Sequence, residues 1–312
     1  MSDPRGPVVV LAGGTGGAKL ARGMLDVVGA DELVVIANTG DDIDIYGSHV
    51  SPDPDLVSFW LADLINERGW GIEGDTFAVM EALRALGTDV WFNLGDRDLA
   101  WCLERKRMEE DGLRHTEALA RLNKAIGVRT RVLPMCDEPL RTWVHTDTGW
   151  RDFQQFMIRD RAEGPVREVA FRGEGTRPTP EVLAALRDAR VVLVGPSNPV
   201  ISIWPILHVL SDALTGTAAP VVCISPVVGG EIVKGPTAAF LAAYDQPVSA
   251  AGVAKFYDEI ATGLLDGIVA DEDPRGLSHA LPALRVDTLM DDPAARARVA
   301  ECALQFALSL AS

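Results

Sequence analysis

Val8-Val9-Val10-Leu11-Ala12-Gly13-Gly14-Thr15-Gly16-Gly17-Ala18-Lys19-Leu20-Ala21 is the stretch on which the reading of this chain turns. An apolar run, short enough for one buried strand, empties into four glycines within five residues and then into a Lys at a helix start. Glycine lets the backbone turn sharply and lets N–H groups approach an anion without a Cβ in the way. A helix N-terminus adds partial positive charge at the same spot. The stretch therefore predicts a phosphate held at the first strand-to-helix turn; a tight turn without ligand is the alternative. The spelling excludes two common cases. Lys19 stands where the dinucleotide fingerprint G-x-G-x-x-G needs its third Gly. Ala18 and Leu20 stand where a P-loop needs Gly before the Lys and Ser or Thr after it.

Working outward, the first half alternates strands and helices. The pattern predicts strands over 8–12, Leu33 to Ala37 and Val90 to Leu94, with helices over 17–28, 55–68 and 75–86. Residues 99–180 read differently, with charged helical stretches followed by short strand-like segments, and predict a partly helical insert or flap. The doubly wound rhythm then resumes with strands from Arg190 to Val194, Val221 to Ile224 and Gly267 to Val269, and helices over 249–262 and 293–310. The expected fold is α/β, Rossmann-like and doubly wound, with a mainly parallel sheet. It forms one domain over 1–312, with its core over 1–98 and 181–312 and the insert at about 99–180.

Composition sets limits on function. At 312 residues the chain can bury a sizeable core, and a net charge of −16 excludes a broad nucleic-acid surface. A small phosphorylated ligand is still compatible, since it needs only a local nest or a cation. Cys102, Cys136, Cys223 and Cys302 are widely spaced, in no metal-site or C-x-x-C pattern, and read as reduced and structural. No apolar run reaches the ~20 residues of a membrane span, and no signal segment is read, so the cytoplasm is the expected location.

The chemistry should lie where the strands end. Strand two runs into Asn38-Thr39-Gly40-Asp41-Asp42, and Ser51-Pro52-Asp53-Pro54-Asp55 follows. Phosphates and carboxylates in one crevice repel unless a cation lies between them. Magnesium suits hard oxygen ligands and takes one or two protein carboxylates, which predicts a metal bridge from Asp41 and Asp55. Asp53 reads rather as a cap or Asx-turn residue, and His49 as a satisfied loop residue. Arg97, in Leu94-Gly95-Asp96-Arg97-Asp98, either faces a phosphate or belongs to an ion-paired turn. Ser197 and Asn198, pinned between Pro196 and Pro199, offer a hydroxyl and an amide on a stiff loop.

With Asp287-Thr288-Leu289-Met290, these motifs occur in an order that resembles the 2-phospho-L-lactate transferases (CofD/FbiA family) of coenzyme F-420 biosynthesis, essentially end to end. The resemblance implies a magnesium-dependent enzyme and a homodimer. It implies transfer of a phospholactyl-type group (phospholactate, phosphoenolpyruvate or phosphoglycerate) from its guanosine diphosphate conjugate to the terminal ribityl hydroxyl of the deazaflavin Fo, with release of GMP. Carried onto this chain, Gly13, Gly14, Thr15, Gly16, Gly17 and Lys19 would hold the guanosine diphosphate moiety. Asp41 and Asp55 would bind the metal near the attacking hydroxyl. Asn38 and Asp42 would line the substrate site. Asn93 and Arg97 would lie beside Fo or the transferred phosphate, and Ser197 and Asn198 would fix a ligand from the far side. The chain departs from the family pattern at Pro54 and Leu56, where Leu and Thr usually flank the last Asp of the acidic loop.

Two other readings compete. A nucleotide-sugar-binding regulator of the same fold, the gluconeogenesis factor (YvcK-like), shares a glycine-rich first loop. It carries a Gly-Pro-Gly-Ser-Leu-Tyr-type later loop, where this chain has Gly195-Pro196-Ser197-Asn198-Pro199. A nicotinamide-dependent dehydrogenase needs the missing third Gly and an acid ending strand two, near where Asn38 stands.

Overall fold

The computed structural model describes residues 6–233, 235–272 and 281–311. The chain runs β1 (Val8–Ala12), α1 (Gly14–Val28), β2 (Leu33–Ala37), the hairpin β3 (Ile43–Ile45) and β4 (Ser48–Val50), α2 (Pro52–Leu61), α3 (Ala78–Ala85), α4 (Asp96–Glu110) and α5 (His115–Ala125). There follow β5 (Arg131–Pro134), β6 (Arg141–Thr146), β7 (Gly149–Asp152), β8 (Val166–Arg172), α6 (Pro180–Asp188), β9 (Val191–Val194), α7 (Trp204–Thr215) and β10 (Val221–Ile224). The short pair β11 (Val227–Val228) and β12 (Glu231–Ile232), α8 (Thr237–Ala243), α9 (Ala250–Ile260), β13 (Gly267–Ala270), β14 (Ala283–Arg285) and α10 (Pro293–Leu310) complete it.

Seven strands form one parallel sheet in the order β14-β13-β10-β9-β1-β2-β5. β1 and β2 are buried at every position, as strands covered on both faces must be. Alternate residues serve opposite cores: Val9, Leu11, Val34 and Ile36 face one, and Val8, Val10, Leu33 and Val35 the other. The chain leaves β1 toward β2 and β5, then returns to β9 and builds the opposite way. The strand order therefore reverses between β1 and β9, where open α/β sheets place their ligand crevice.

Most expected elements appear, and three details differ. Residues 90–94 form no strand; β5 takes the place beside β2, and the apolar run instead contributes Phe92 and Leu94 to the core. β5 lies within the stretch expected as an insert and completes that edge of the sheet. The helix expected over 55–68 begins at Pro52, whose missing N–H costs nothing in a first turn. It ends at Leu61, just before Asp63 takes up a left-handed φ of 54°. The antiparallel sheet β7-β6-β8 is tied to the loop after β2 by Thr142 N–H on the Gly40 carbonyl at 2.7 Å.

At the reversal the two loops touch. Gly14 adopts φ 63°, a left-handed conformation suited to glycine, and a Cβ on Gly16 would strike the Pro196 carbonyl. Gly17 N–H donates to Ser197 Oγ at 2.9 Å. Gly16→Ala is expected to destabilise the protein by about 1–3 kcal/mol through overpacking, measured by denaturant unfolding against the parent. An unchanged midpoint would show that the two loops are not in close contact.

Candidate active site

The first turn of α1 faces a cavity of about 360 Å³, lined by Gly13, Gly14, Thr15, Gly16 and Lys19 on one side and Ser197 and Asn198 on the other. The crevice expected between the loops after β1 and β9 is thus present. Asn198 is oriented by its own turn: its Oδ1 accepts from Val200 N–H at 3.0 Å, while its buried Nδ2 has no partner among the described residues. Thr288, in the loop after β14, lines the same cavity with a buried, unpartnered hydroxyl. A buried polar group without a partner costs about 1–3 kcal/mol, so both fit a site built to hydrogen-bond a ligand.

Four aspartates crowd the neighbouring loops, each in a different electrostatic setting. Asp53 accepts from Gly14 N–H at 2.6 Å and from Asn38 Nδ2 at 2.9 Å. It does the capping work read from the sequence, at the N-terminus of α1, a helix away in the chain. Burial still pushes its pKa up to about 6. Asp42 is held by Ser51 Oγ at 2.8 Å and His49 Nε2 at 3.1 Å. Asp55 accepts from the fully buried Arg105 and from Trp101 Nε1 at 2.7 Å, and its Oδ2 is buried without a partner. Asp41 also has one buried oxygen, Oδ1, without a partner. Burial and the charge of Asp53 push its carboxyl well above the usual range, with Asn38 offsetting part of this.

A second cavity, of about 720 Å³, opens on the far side of Asp53 and is walled by Phe59, Trp70, Phe77, Trp91, Phe92 and Ile158. Asp55, Asn93 and Asp98 line it as well, and Asp53 lines both cavities. Asp98 has its pKa pushed up to about 7 by burial and by Asp55. Leu56, one of the departures from the family pattern, adds an apolar wall here. Pro54 sits in the first turn of α2, a position that accepts proline.

Not every residue singled out from the sequence comes to the cavities. Asn93 lines the larger one, with its Oδ1 held by Arg84 at 2.7 Å. Arg97 lines neither cavity and reaches the Glu73 carbonyl at 3.3 Å. Its neighbours have structural duties. Asp96 accepts from Ala78 N–H at 3.0 Å and Val79 N–H at 2.9 Å, capping α3. Asp75 accepts from Arg97 N–H at 2.9 Å and Asp98 N–H at 3.2 Å, capping α4 in return.

Arg105 is the largest omission of the sequence reading. It lies in a stretch read only as charged and helical, yet Trp101, Arg105 and Met108 follow helical spacing and are all buried. That stripe was the available signal. Gln154, whose Nε2 donates to the Asp41 carbonyl at 2.8 Å, was likewise not singled out.

Fold and site together define a Rossmann-like α/β protein with a glycine-lined crevice at its switch point and an aromatic cavity beside it. The chain belongs to the 2-phospho-L-lactate transferase CofD family, whose model matches residues 8–292. It is 35% identical over 305 residues to a 2-phospho-L-lactate transferase of Methanosarcina mazei, covering 96% of this chain and 99% of that one. It is 38% identical to the corresponding protein of Methanopyrus kandleri, covering 94% and 95%. A phosphoenolpyruvate transferase of Streptomyces griseus is 37% identical, covering 96% and 98%. A solved Bacillus halodurans protein of the UPF0052 family matches with a TM-score of 0.66 at 17% identity, covering 97% of this chain and 100% of that one. That likeness is one of fold. Among the described residues, no helix is long and apolar enough to cross a membrane.

Among the described residues, Arg105 is the one cation paired with the buried Asp55 carboxylate. Arg105→Met leaves that charge unpaired and is expected to cost about 3–5 kcal/mol. The double variant with Asp55→Asn should recover much of the loss. Additive costs in a double-mutant cycle, read by denaturant unfolding, would show the pair is not coupled.

Proposed function

We propose that this protein transfers a phospholactyl-type group (phospholactate, phosphoenolpyruvate or phosphoglycerate) from its guanosine diphosphate conjugate to the terminal ribityl hydroxyl of the deazaflavin Fo, releasing GMP, in coenzyme F-420 biosynthesis. The observation that carries this reading is the pair of cavities meeting at Asp53, one with a glycine loop and Lys19, the other aromatic. A diphosphate suits the first, and a flat conjugated ring suits the second. The family and its named transferases support the reaction class.

On this reading the first turn of α1 and Lys19 take the diphosphate. Gly14 and Gly17 spend their N–H groups on Asp53 and Ser197, so the anion is left to Thr15 and Gly16. Asn198 Nδ2 and the Thr288 hydroxyl hydrogen-bond the donor from the other wall. The aromatic cavity orients the deazaflavin with its ribityl end toward Asp53. The terminal hydroxyl oxygen then bonds to the phosphorus distal to guanosine. The bond from that phosphorus to the bridging oxygen breaks, and GMP leaves with the electron pair. Asp53 and Asp98 line the acceptor cavity with pKa values pushed up to about 6 and about 7, which suits them to receive the hydroxyl proton.

Asp41 lines the first cavity and Asp55 the second, and each keeps one buried oxygen without a partner among the described residues; these are the carboxylates that would hold a magnesium ion, which prefers hard oxygen ligands. When bound, it would neutralise charge on the transferring group.

Incubation with Fo, magnesium and each of the three conjugates should yield GMP and one coupled deazaflavin, detected by mass. No product with any donor would overturn the proposal. Asp41→Asn and Asp55→Asn should each cut turnover on the order of 100-fold, the scale of losing one stabilising group, with the fold intact by circular dichroism. Unchanged magnesium dependence in both would refute their assignment as ligands.

A further inference from the structure

Outside both cavities lies a closed ring of hydrogen bonds among five side chains. Asp42 Oδ2 meets His49 Nε2 at 3.1 Å, and His49 Nδ1 meets Glu109 Oε2 at 2.7 Å. Glu109 Oε1 meets His115 Nδ1 at 2.7 Å, and His115 Nε2 meets Ser51 Oγ at 3.4 Å. The Ser51 hydroxyl donates back to Asp42 Oδ1 at 2.8 Å, closing the ring. The two imidazole rings lie 4.9 Å apart. The members come from the loop after β2, from β4, from the N-cap of α2, from the end of α4 and from the start of α5.

These groups also carry a donor set that a transition metal accepts, but the spacing favours hydrogen bonds. Two ligands on one tetrahedral ion with bonds near 2.0–2.1 Å sit about 3.3 Å apart. The 2.7 Å separations here are those of charge-assisted hydrogen bonds. An imidazole with a carboxylate on each nitrogen donates to both when both carboxylates are ionised, so His49 is a cation in this ring. Burial works against that charge, yet Asp42 and Glu109 raise its pKa to about 9. Burial also works against Glu109, whose carboxyl the two histidines nonetheless hold well below the usual range.

The ring sits between the two segments that carry the reactive carboxylates. Asp42 adjoins Asp41 on one segment, and Ser51 stands two residues before Asp53 on the other. Outside the ring, α4 also ties to these segments through Arg105, which donates to the His49 carbonyl at 2.9 Å and to Asp55, through Trp101 on Asp55 at 2.7 Å and through Lys106 on Asp44 at 3.2 Å. We propose that His49, Glu109, His115 and Ser51 are positioning residues that fix Asp41 against Asp53 and Asp55 for cation binding and group transfer. The inference rests on the transferase reading for the reaction and on geometry alone for the cation.

The test breaks the ring at two unrelated points, Glu109→Gln and Ser51→Ala, in the full chain. Manganese binding by titration calorimetry serves as the readout independent of turnover. Both variants should bind manganese roughly tenfold more weakly and lose roughly tenfold in kcat, the scale for groups that orient a metal's ligands. KM for Fo should stay within about twofold, because neither residue lines the aromatic cavity. The groups facing His49 are Asp42, Glu109, His115 and Arg105. Stability from its raised pKa is full below about pH 6.5 and lost as pH rises through about 9. Glu109→Gln removes one anion, so the alkaline limb of the pH–rate profile should move to lower pH. Manganese affinity and kcat within twofold of the parent in both variants, with only a lowered Tm, would reduce the ring to structural glue and overturn the proposal. A parent protein that binds manganese but transfers nothing would sink the transferase reading alone, and the manganese comparison would still decide the role of the ring.

Discussion

Anions buried at the carboxyl ends of the sheet are the constraint from which the rest of this structure follows. Asp41, Asp42, Asp53 and Asp55 lie within fifteen residues of one another and are all buried. Burying a carboxylate is costly unless it is paired or hydrogen-bonded. Each of the surrounding elements is recruited to meet that cost for one of them. α4 supplies Arg105 and Trp101 to Asp55, and α1 supplies its first N–H to Asp53. The hairpin and α5 supply histidines to the ring around Asp42. Asp41 and Asp55 each keep a buried oxygen without a partner among the described residues, and burial raises the pKa of Asp41 and of Asp53. A buried carboxylate oxygen left without a partner is what a cation would complete, which is why the proposed metal falls to Asp41 and Asp55.

The sheet explains why these groups meet at all. A reversal of strand order separates the loops after β1 and β9 just enough to form a crevice, and glycines let them approach at its floor. The helical and antiparallel elements of 96–172 then wall the second cavity through Asp98 and Ile158, and brace the first aspartate through Gln154. The stretch that looked like an appendage in sequence contributes both a sheet edge and site walls.

What could be read in the sequence was what depends on local pattern. The five-residue strands announce themselves because both faces are apolar. α10 was read to its observed ends because Asp292 caps it and Pro293 opens it. The glycine loop was legible because few other residues can make that turn. What escaped depends on distant partners. Val90 to Leu94 has strand composition, but whether a run joins a sheet is settled by which strand arrives beside β2. That misreading carried Arg97 with it, since a supposed strand-end turn is in fact a first helical turn with reciprocal caps. Asp53 was read as a cap, which it is, but its partner Gly14 is 39 residues away. Arg105 follows the buried Trp101–Met108 stripe, but its partner Asp55 and the His49–Glu109 pairing are contacts across 50 and 60 residues of chain, which local pattern does not carry.

The position of Asp53 ties the two halves of the site together physically. Its carboxylate already occupies part of the positive end of α1, where a phosphate would otherwise be drawn. A diphosphate entering the crevice therefore approaches Asp53 and Asp41 as well as the glycine N–H groups, and meets like charge. The repulsion falls only when those carboxylates gain protons or share a cation with the incoming phosphates. Burial raises the pKa of both carboxyls, and the hydrogen bonds from Asn38 and Gly14 offset only part of that for Asp53. On the proposed function, donor binding and cation binding in this crevice would be linked events: each would lower the cost of the other, and by linkage the coupling would be reciprocal. The glycine loop that dominates the sequence would be one partner in that exchange, and the aspartate pinned to its first N–H is what would make the exchange necessary.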